Sequence, residues 1–351
     1  MSKNKRIRDY GIHVGEMATG VRNALTDVPG VKVGHCTLSD GNVQTGVTAI
    51  LPHDGNLFKN KVVAASHIIN GFGKSTGLVQ VEEMGVIETP LVLTNALSVG
   101  TVCNALIKYM LSDNKDIGVT TSTVNPVVFE CNDGYLNDIR TPNVKEAHVF
   151  EAIENASKDF DEGAVGAGTG MSCFKLKGGI GTSSRQIALD HTYHLGAMVL
   201  SNMGQTRDLT ICGNNIGTEI LDRMSEDPLP DVGSIIIILA TDAPLNERQL
   251  KRISKRAVVG LARTGSFIGT GSGEIVLAFS TKNTVTHYKH EPVSACLRVH
   301  EGEMDLFFRA AAEATEEAIL NSMVSAPATD GRDGLSRPSL KDFEDLLGRC
   351  V

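Results

Sequence analysis

The sequence predicts an α/β fold, arranged as a four-layer α/β/β/α sandwich. Short apolar runs of strand length alternate with segments whose apolar residues recur at three- and four-residue steps, the pattern of helices laid against sheets. Apolar residues make up 41% of the 351, enough to fill one extended core, and residues 1–351 read as a single domain. The 36 glycines are scattered among the aliphatic runs, which points to tight turns and close backbone approaches instead of low-complexity disorder.

In chain order, Met1 to Gly20 is a poorly patterned lead. Asp27-Val28-Pro29-Gly30 is a turn, Val31-Lys32-Val33 a short strand, and the stretches from Gly46 to Leu51 and from Val62 to Ile69 are core strands. Leu78 to Val86 predicts a short helix with Val79, Val81 and Met84 partly inward, followed after Pro90 by the strand Leu91 to Thr94. Val99, Val102, Cys103, Leu106, Ile107 and Met110 predict a helix from Ser98 to Leu111. A further helix is expected from Val144, with Ala147, Phe150, Ile153 and Ala156 buried. Tyr193 to Leu200 is a strand running into a Ser201 to Gly204 turn, and the polar stretch from Gly213 to Pro230 reads as an exposed linker. One helix is expected from Asn246 to about Arg263, a central strand from Ile275 to Ser280, and a late helix from Leu306 to Met323 whose Glu313, Glu316 and Glu317 face solvent.

The chain is organised around Asp231-Val232-Gly233-Ser234-Ile235-Ile236-Ile237-Ile238-Leu239-Ala240-Thr241-Asp242. This run reads as a strand buried on both faces with Ser234 at its mouth. A Gly-Ser pair before a core strand is usually a turn. It also satisfies the chemistry of self-cleavage, in which the Ser234 hydroxyl attacks the Gly233 carbonyl, leaving an ester that water opens. The new chain start would carry a hydroxyl nucleophile and an α-amine of reference pKa about 8 able to take its proton.

Other functions are disfavoured. A net charge of -8, no tryptophan and only five tyrosines provide neither a positive surface nor stacking platforms for nucleic acid. The apolar run from Ile235 to Ala240 is far short of the roughly 20 residues that span a membrane. Seven dispersed cysteines without a CxxC pair suit free thiols in a reducing compartment, and without a signal-peptide pattern the expected location is cytoplasmic. His35, His53 and His67 belong to no close ligand array, so no metal is expected. Gly71-Phe72-Gly73-Lys74-Ser75 lacks phosphate-loop spacing, and Gly166, Gly168 and Gly170 alternate where a dinucleotide fingerprint needs GxGxxG, so no cofactor is expected.

Three further places bear chemistry. Glu130, Asp133 and Tyr135 surround an Asp-Gly turn, where the acids suit a substrate ammonium on charge grounds and a bare Asx-turn is the plainer reading. Glycine turns containing Gly168 and Gly170 can present main-chain N–H groups to a carbonyl oxygen. Ser272 and Glu274 share one side of an extended strand entrance, although an isolated SxE is more often a loop.

Several long segments together resemble the L-aminopeptidase/D-Ala-esterase/amidase and β-peptidyl aminopeptidase family. They are Leu25 to His35, Asn132 to Asp138, Gly166 to Met171, Gly178 to Arg185 and the Ser234 strand, and the resemblance runs from about Gly11 to Gly334. It implies a sandwich like that of N-terminal-nucleophile hydrolases with different connectivity, cleavage between Gly233 and Ser234 into fragments 1–233 and 234–351, and Ser234 as nucleophile. Asn202 matches the family's active-site asparagine, Tyr135 its bordering aromatic, and Ser272 and Glu274 its second serine and glutamate; the glycine loops border the substrate pocket. Small peptides, amino-acid amides or esters are the implied substrates, and a homo-oligomer is implied. The alternative is an uncleaved, inactive member that binds small amides or serves a structural role.

Overall fold

The computed structural model describes residues 5–224 and 233–350. The residues of the expected linker from Ser225 to Pro230, and Asp231-Val232, lie outside them. The strands of the two main sheets are β1 (Lys32–Asp40), β2 (Val43–Leu51), β3 (Asn60–Gly71), β4 (Val86–Ile87), β5 (Leu91–Asn95), β6 (Val127–Cys131), β7 (Gly179–Ala188), β8 (Thr192–Asn202), β9 (Ser234–Thr241) and β10 (Gly273–Thr286). They form a four-stranded sheet in the order β1-β2-β5-β6 and a six-stranded sheet in the order β4-β3-β10-β9-β8-β7. Within these sheets β5 with β6 and β9 with β10 run parallel, and the other pairs antiparallel.

The helices are α1 (Leu78–Met84), α2 (Val99–Asp113), α3 (Glu146–Glu154), α4 (Gly217–Met224), α5 (Glu247–Ser254), α6 (Ala257–Arg263), α7 (Met304–Val324) and α8 (Glu344–Leu347). Three apolar interfaces separate the layers. Val102, Leu106, Val149 and Ile153 of α2 and α3 pack on Val47, Ala49, Val92 and Val128 of the smaller sheet. Between the sheets, Ile50, Leu91, Leu93, Val127 and Phe129 meet Met198, Leu200, Ile236, Ile238, Leu277 and Phe279. On the far face, Val199, Ile235, Ile237, Leu239, Val276 and Ala278 pack against Leu250, Ile253, Ala257, Leu261, Phe307, Ala310 and Ala314. This is the expected α/β/β/α sandwich. The strand opened by Ser234 is buried on both faces, with alternate residues in two different cores.

Several local expectations change. In α1 only Val81 is buried, while Val79 and Met84 are 87% and 65% exposed, because seven residues between left-handed Gly77 and Gly85 present a single residue to the core. Val149, Ala152 and Ile153 form the buried face of α3, and Ala147 is exposed. The helix expected from Asn246 to Arg263 is two, α5 and α6, joined by a tight Lys255-Arg256 connection that keeps Leu250, Ile253, Ala257 and Leu261 inward. Part of the expected linker is the helix α4, anchored by buried Ile220.

The largest departure is in α7. Glu313, Glu316 and Glu317 are buried, not solvated. Wholly buried Arg185 of β7 meets Glu313 Oε2 at 3.1 Å and Glu317 Oε2 at 2.8 Å, while Arg8 donates to both Glu317 oxygens. Glu316 takes Arg263 at 3.3 Å. These charges tolerate burial because each has a cation partner. They also order the N-terminal lead, since Glu313 accepts from the backbone N–H groups of Glu16 and Met17, and Ile7, Ile12 and Val14 enter the outer core. Among the described residues no helix is long and apolar enough to cross a membrane.

Candidate active site

Ser234 opens β9 with Ile236 and Ile238 beyond it on the face between the sheets, so its side chain continues that face at the sheet's open end. Asn202 closes β8 after Met198 and Leu200 on the same face, and pairs directly with Ser234. On the other flank Ser234 pairs with Gly273, the first residue of β10. Two central strands of one sheet therefore place Asn202, Ser234 and the Ser272-Gly273-Glu274 run side by side. Ser234 keeps 9% of its surface exposed and Asn202 6%.

The Gly273 N–H is directed at the Gly233-Ser234 junction. It lies 3.3 Å from the Gly233 carbonyl oxygen and 3.2 Å from Ser234 Oγ, donating to both. Neither glycine could carry a side chain unchanged: a Cβ on Gly233 would overlap the Asn202 carbonyl, and one on Gly273 would overlap the Phe72 carbonyl and stand 3.2 Å from Ser234 Oγ. Gly233 is thus a close-packing glycine. On the other side of Gly273, Ser272 Oγ donates to Glu274 Oε1, both residues being wholly buried. The Asn70 side-chain amide holds this entrance by donating to the Ser272 and Gly269 carbonyls.

The orientation of the Asn202 carboxamide follows from its partners. The Ser172 N–H can only donate, so the atom 2.8 Å away is Oδ1; the Asn132 carbonyl can only accept, so the atom 2.9 Å away is Nδ2. Tyr135 reaches the same cluster through Arg337. That guanidinium lies 3.5 Å from the phenol ring centroid and donates to Ser172 Oγ at 3.3 Å.

The remaining sequence candidates divide. Glu130, 6% exposed, accepts from the Lys74 N–H at 2.8 Å and so borders the Phe72-Gly73-Lys74 loop, which itself abuts Gly273. Asp133 is wholly buried and takes Asn137 Nδ2 at 3.0 Å, and burial pushes its pKa up to about 6. Its side chain presents no surface to an incoming ammonium in this structure. Gly168 and Gly170 are packing positions: a Cβ on Gly168 would crowd Gly163 O and Ile180 N, and one on Gly170 would overlap the Gln44 carbonyl. The loop with Gly71 and Gly73, whose sequence lacks phosphate-loop spacing, walls the site. Asn70, Ser172, Lys177 and Arg337 carried no motif that marked them. Among the described residues no group of three or more His, Cys, Asp or Glu side chains is placed to hold a metal ion.

A central-strand serine, flanked by a carboxamide and by a main-chain N–H in an α/β/β/α sandwich, defines the class as a serine hydrolase on a fold like that of the N-terminal-nucleophile hydrolases. Residues 23–337 match the model of peptidase family S58. The chain belongs to that family and is a serine aminopeptidase. It is 37% identical over 367 residues to the beta-peptidyl aminopeptidase BapA of Sphingosinicella microcystinivorans, covering 98% of this chain and 91% of the relative. Among solved structures it resembles the PH0078 protein from Pyrococcus horikoshii OT3, with a TM-score of 0.93, 51% identity and 98% of each chain covered. It also resembles the L-aminopeptidase D-Ala-esterase/amidase from Ochrobactrum anthropi, described as a prototype for the serine aminopeptidases and a new variant among the Ntn hydrolase fold. There the TM-score is 0.90, with 34% identity and 99% of each chain covered.

Proposed function

We propose that the chain cleaves itself between Gly233 and Ser234 and then acts, through Ser234, as an aminopeptidase on small peptides, amino-acid amides or esters with a free amino terminus. The carrying observation is the shared hydrogen bond of Gly273, whose N–H reaches both the Gly233 carbonyl oxygen and Ser234 Oγ. Attack of Oγ on the Gly233 carbon builds negative charge on the oxygen facing this donor. The C–N bond breaks as the hydroxyl proton passes to the amide nitrogen, and water then opens the ester. Fragments 1–233 and 234–351 result, with the Gly233 carboxylate and the Ser234 hydroxyl and amine freed.

In turnover the Ser234 amine takes the Oγ proton as Oγ attacks the substrate carbonyl, then returns it to the leaving amine. Asn202 Nδ2 and the Tyr135 phenol donate to the developing oxyanion. The buried Ser272–Glu274 pair orients the amine. Glu130 supplies the charge for the substrate ammonium, a contact worth about 1.5–3 kcal/mol, or about 10- to 150-fold.

The test compares an aminoacyl p-nitroanilide with its N-acetyl form on wild type and Glu130→Gln. The free amine should be preferred by wild type, and Glu130→Gln should remove most of the preference by raising KM for the free amine alone. Equal efficiency on both substrates in wild type would make the enzyme an amidase indifferent to the chain end. An unchanged preference in Glu130→Gln would place the ammonium elsewhere.

A further inference from the structure

We propose that Lys177 is a positioning residue for Asn202, acting through the Met171-Ser172 peptide; this rests on the oxyanion role given to Asn202 above. Lys177 sits in a short hairpin at the edge of the site, formed by Ser172–Cys173 and Leu176–Lys177. Its side chain is wholly buried, and Nζ donates to three main-chain carbonyls: Gly168 at 3.0 Å, Met171 at 2.9 Å and Gly178 at 2.7 Å. Burial pushes the Lys177 pKa down to about 7, and the three carbonyl acceptors match the three N–H bonds of its ammonium form.

One of those carbonyls belongs to the peptide unit that holds Asn202. The Met171 oxygen faces Lys177, and the N–H of the same peptide, on Ser172, donates to Asn202 Oδ1 at 2.8 Å. The plane of this peptide determines where the Asn202 oxygen is held, and hence where Nδ2 points. A cation on the oxygen side also polarises the peptide and strengthens its N–H as a donor. The Gly178 N–H donates to the same Met171 oxygen at 3.0 Å, so the peptide is gripped from two sides. Replacing the ammonium by an apolar group leaves the Gly178 contact but releases the tilt of the peptide, and Asn202 Nδ2 loses its fixed aim. The effect belongs in kcat, because an oxyanion donor acts on the transition state and not on substrate capture.

The test is a double-mutant cycle of wild type, Lys177→Met, Asn202→Ala and the double variant, with rates normalised to processed Ser234 chains measured by intact mass. Lys177→Met should lower kcat about tenfold with KM held within about twofold, and Asn202→Ala should lower kcat about 10²- to 10³-fold. In the double variant the lysine change should have no further effect, since its route runs through Asn202. Should Lys177→Met fold poorly, Lys177→Gln keeps two N–H donors and enters the same cycle, with a smaller loss that also vanishes beside Asn202→Ala. A Lys177 loss that persists in full on the Asn202→Ala background overturns the inference and leaves the Asn202 role standing. So does an unchanged kcat in Lys177→Met. An Asn202→Ala enzyme with wild-type kcat removes the oxyanion assignment itself, and this inference with it.

Discussion

Changing Gly273 to Ala adds one methyl group at the point where the proposed chemistry has least room. That carbon would overlap the Phe72 carbonyl oxygen and stand 3.2 Å from Ser234 Oγ. Phe72 O is main chain and cannot rotate aside, so either the Phe72 loop or the mouth of β10 must move. Overpacking of this kind costs about 1–3 kcal/mol of stability. The greater effect falls on the Gly273 N–H, at 3.3 Å from the Gly233 oxygen and 3.2 Å from Ser234 Oγ, long enough that a small outward shift breaks both contacts. Losing one preorganised donor to a developing oxyanion costs about 2.7–4 kcal/mol, so self-cleavage should slow about 10²- to 10³-fold. Translation in vitro followed by timed sampling on a denaturing gel gives the rate of fragment appearance. Gly100→Ala is the matched control, since nothing lies within 4 Å of a Cβ there. A folded Gly273→Ala protein that cleaves at the wild-type rate would refute the donor role of Gly273.

Arg185→Met should destabilise the fold by about 3–5 kcal/mol, read as a lower urea midpoint at unchanged slope, because it strips a buried cation from Glu313 and Glu317; a loss below about 1 kcal/mol would contradict the pairing. Asp133→Asn tests the sealed acid. Its carboxyl is raised from 3.8 to about 6, so between those values the folded state binds more protons than the unfolded state, and this group's contribution to stability falls as pH rises. Asp133→Asn should therefore gain on wild type from about pH 4 to about pH 6, by up to about 3 kcal/mol, and hold that gain above it. A difference between the two proteins that does not change across this window would show an ordinary carboxyl.

The layer order and the Ser234 strand were legible because their signals are local. A strand in two cores must be apolar at consecutive positions, as Ile235 to Leu239 are, and period-two spacing puts Ser272 and Glu274 on one side, where their hydrogen bond joins them. Periodicity assigns the α7 glutamates to solvent by default, and the fold buries them. Their partners Arg8 and Arg185 lie far away in sequence, and nothing near Glu313 or Glu317 announces them. Asp133 and Glu130 are equally ambiguous in the sequence; in the structure Asp133 is wholly buried, while Glu130 keeps 6% exposure beside the Phe72-Gly73-Lys74 loop. Lys177, followed by two glycines, carries no signal of its role in the sequence. Only folding shows three carbonyls converging on its ammonium, since backbone acceptors leave no trace in residue identity. Likewise, the need for glycine at position 233 is a packing requirement set by the Asn202 backbone from another strand.

Intact-mass measurement of purified wild type and Ser234→Ala bears most directly on the proposal that Ser234 is both the agent of cleavage and the nucleophile it uncovers. Wild type should resolve into chains of residues 1–233 and 234–351, active on a free aminoacyl p-nitroanilide, and Ser234→Ala should fold as one inactive chain of 351 residues. Cleavage of the Gly233-Ser234 bond in Ser234→Ala, or full activity in a wild-type chain that stays intact, would contradict it.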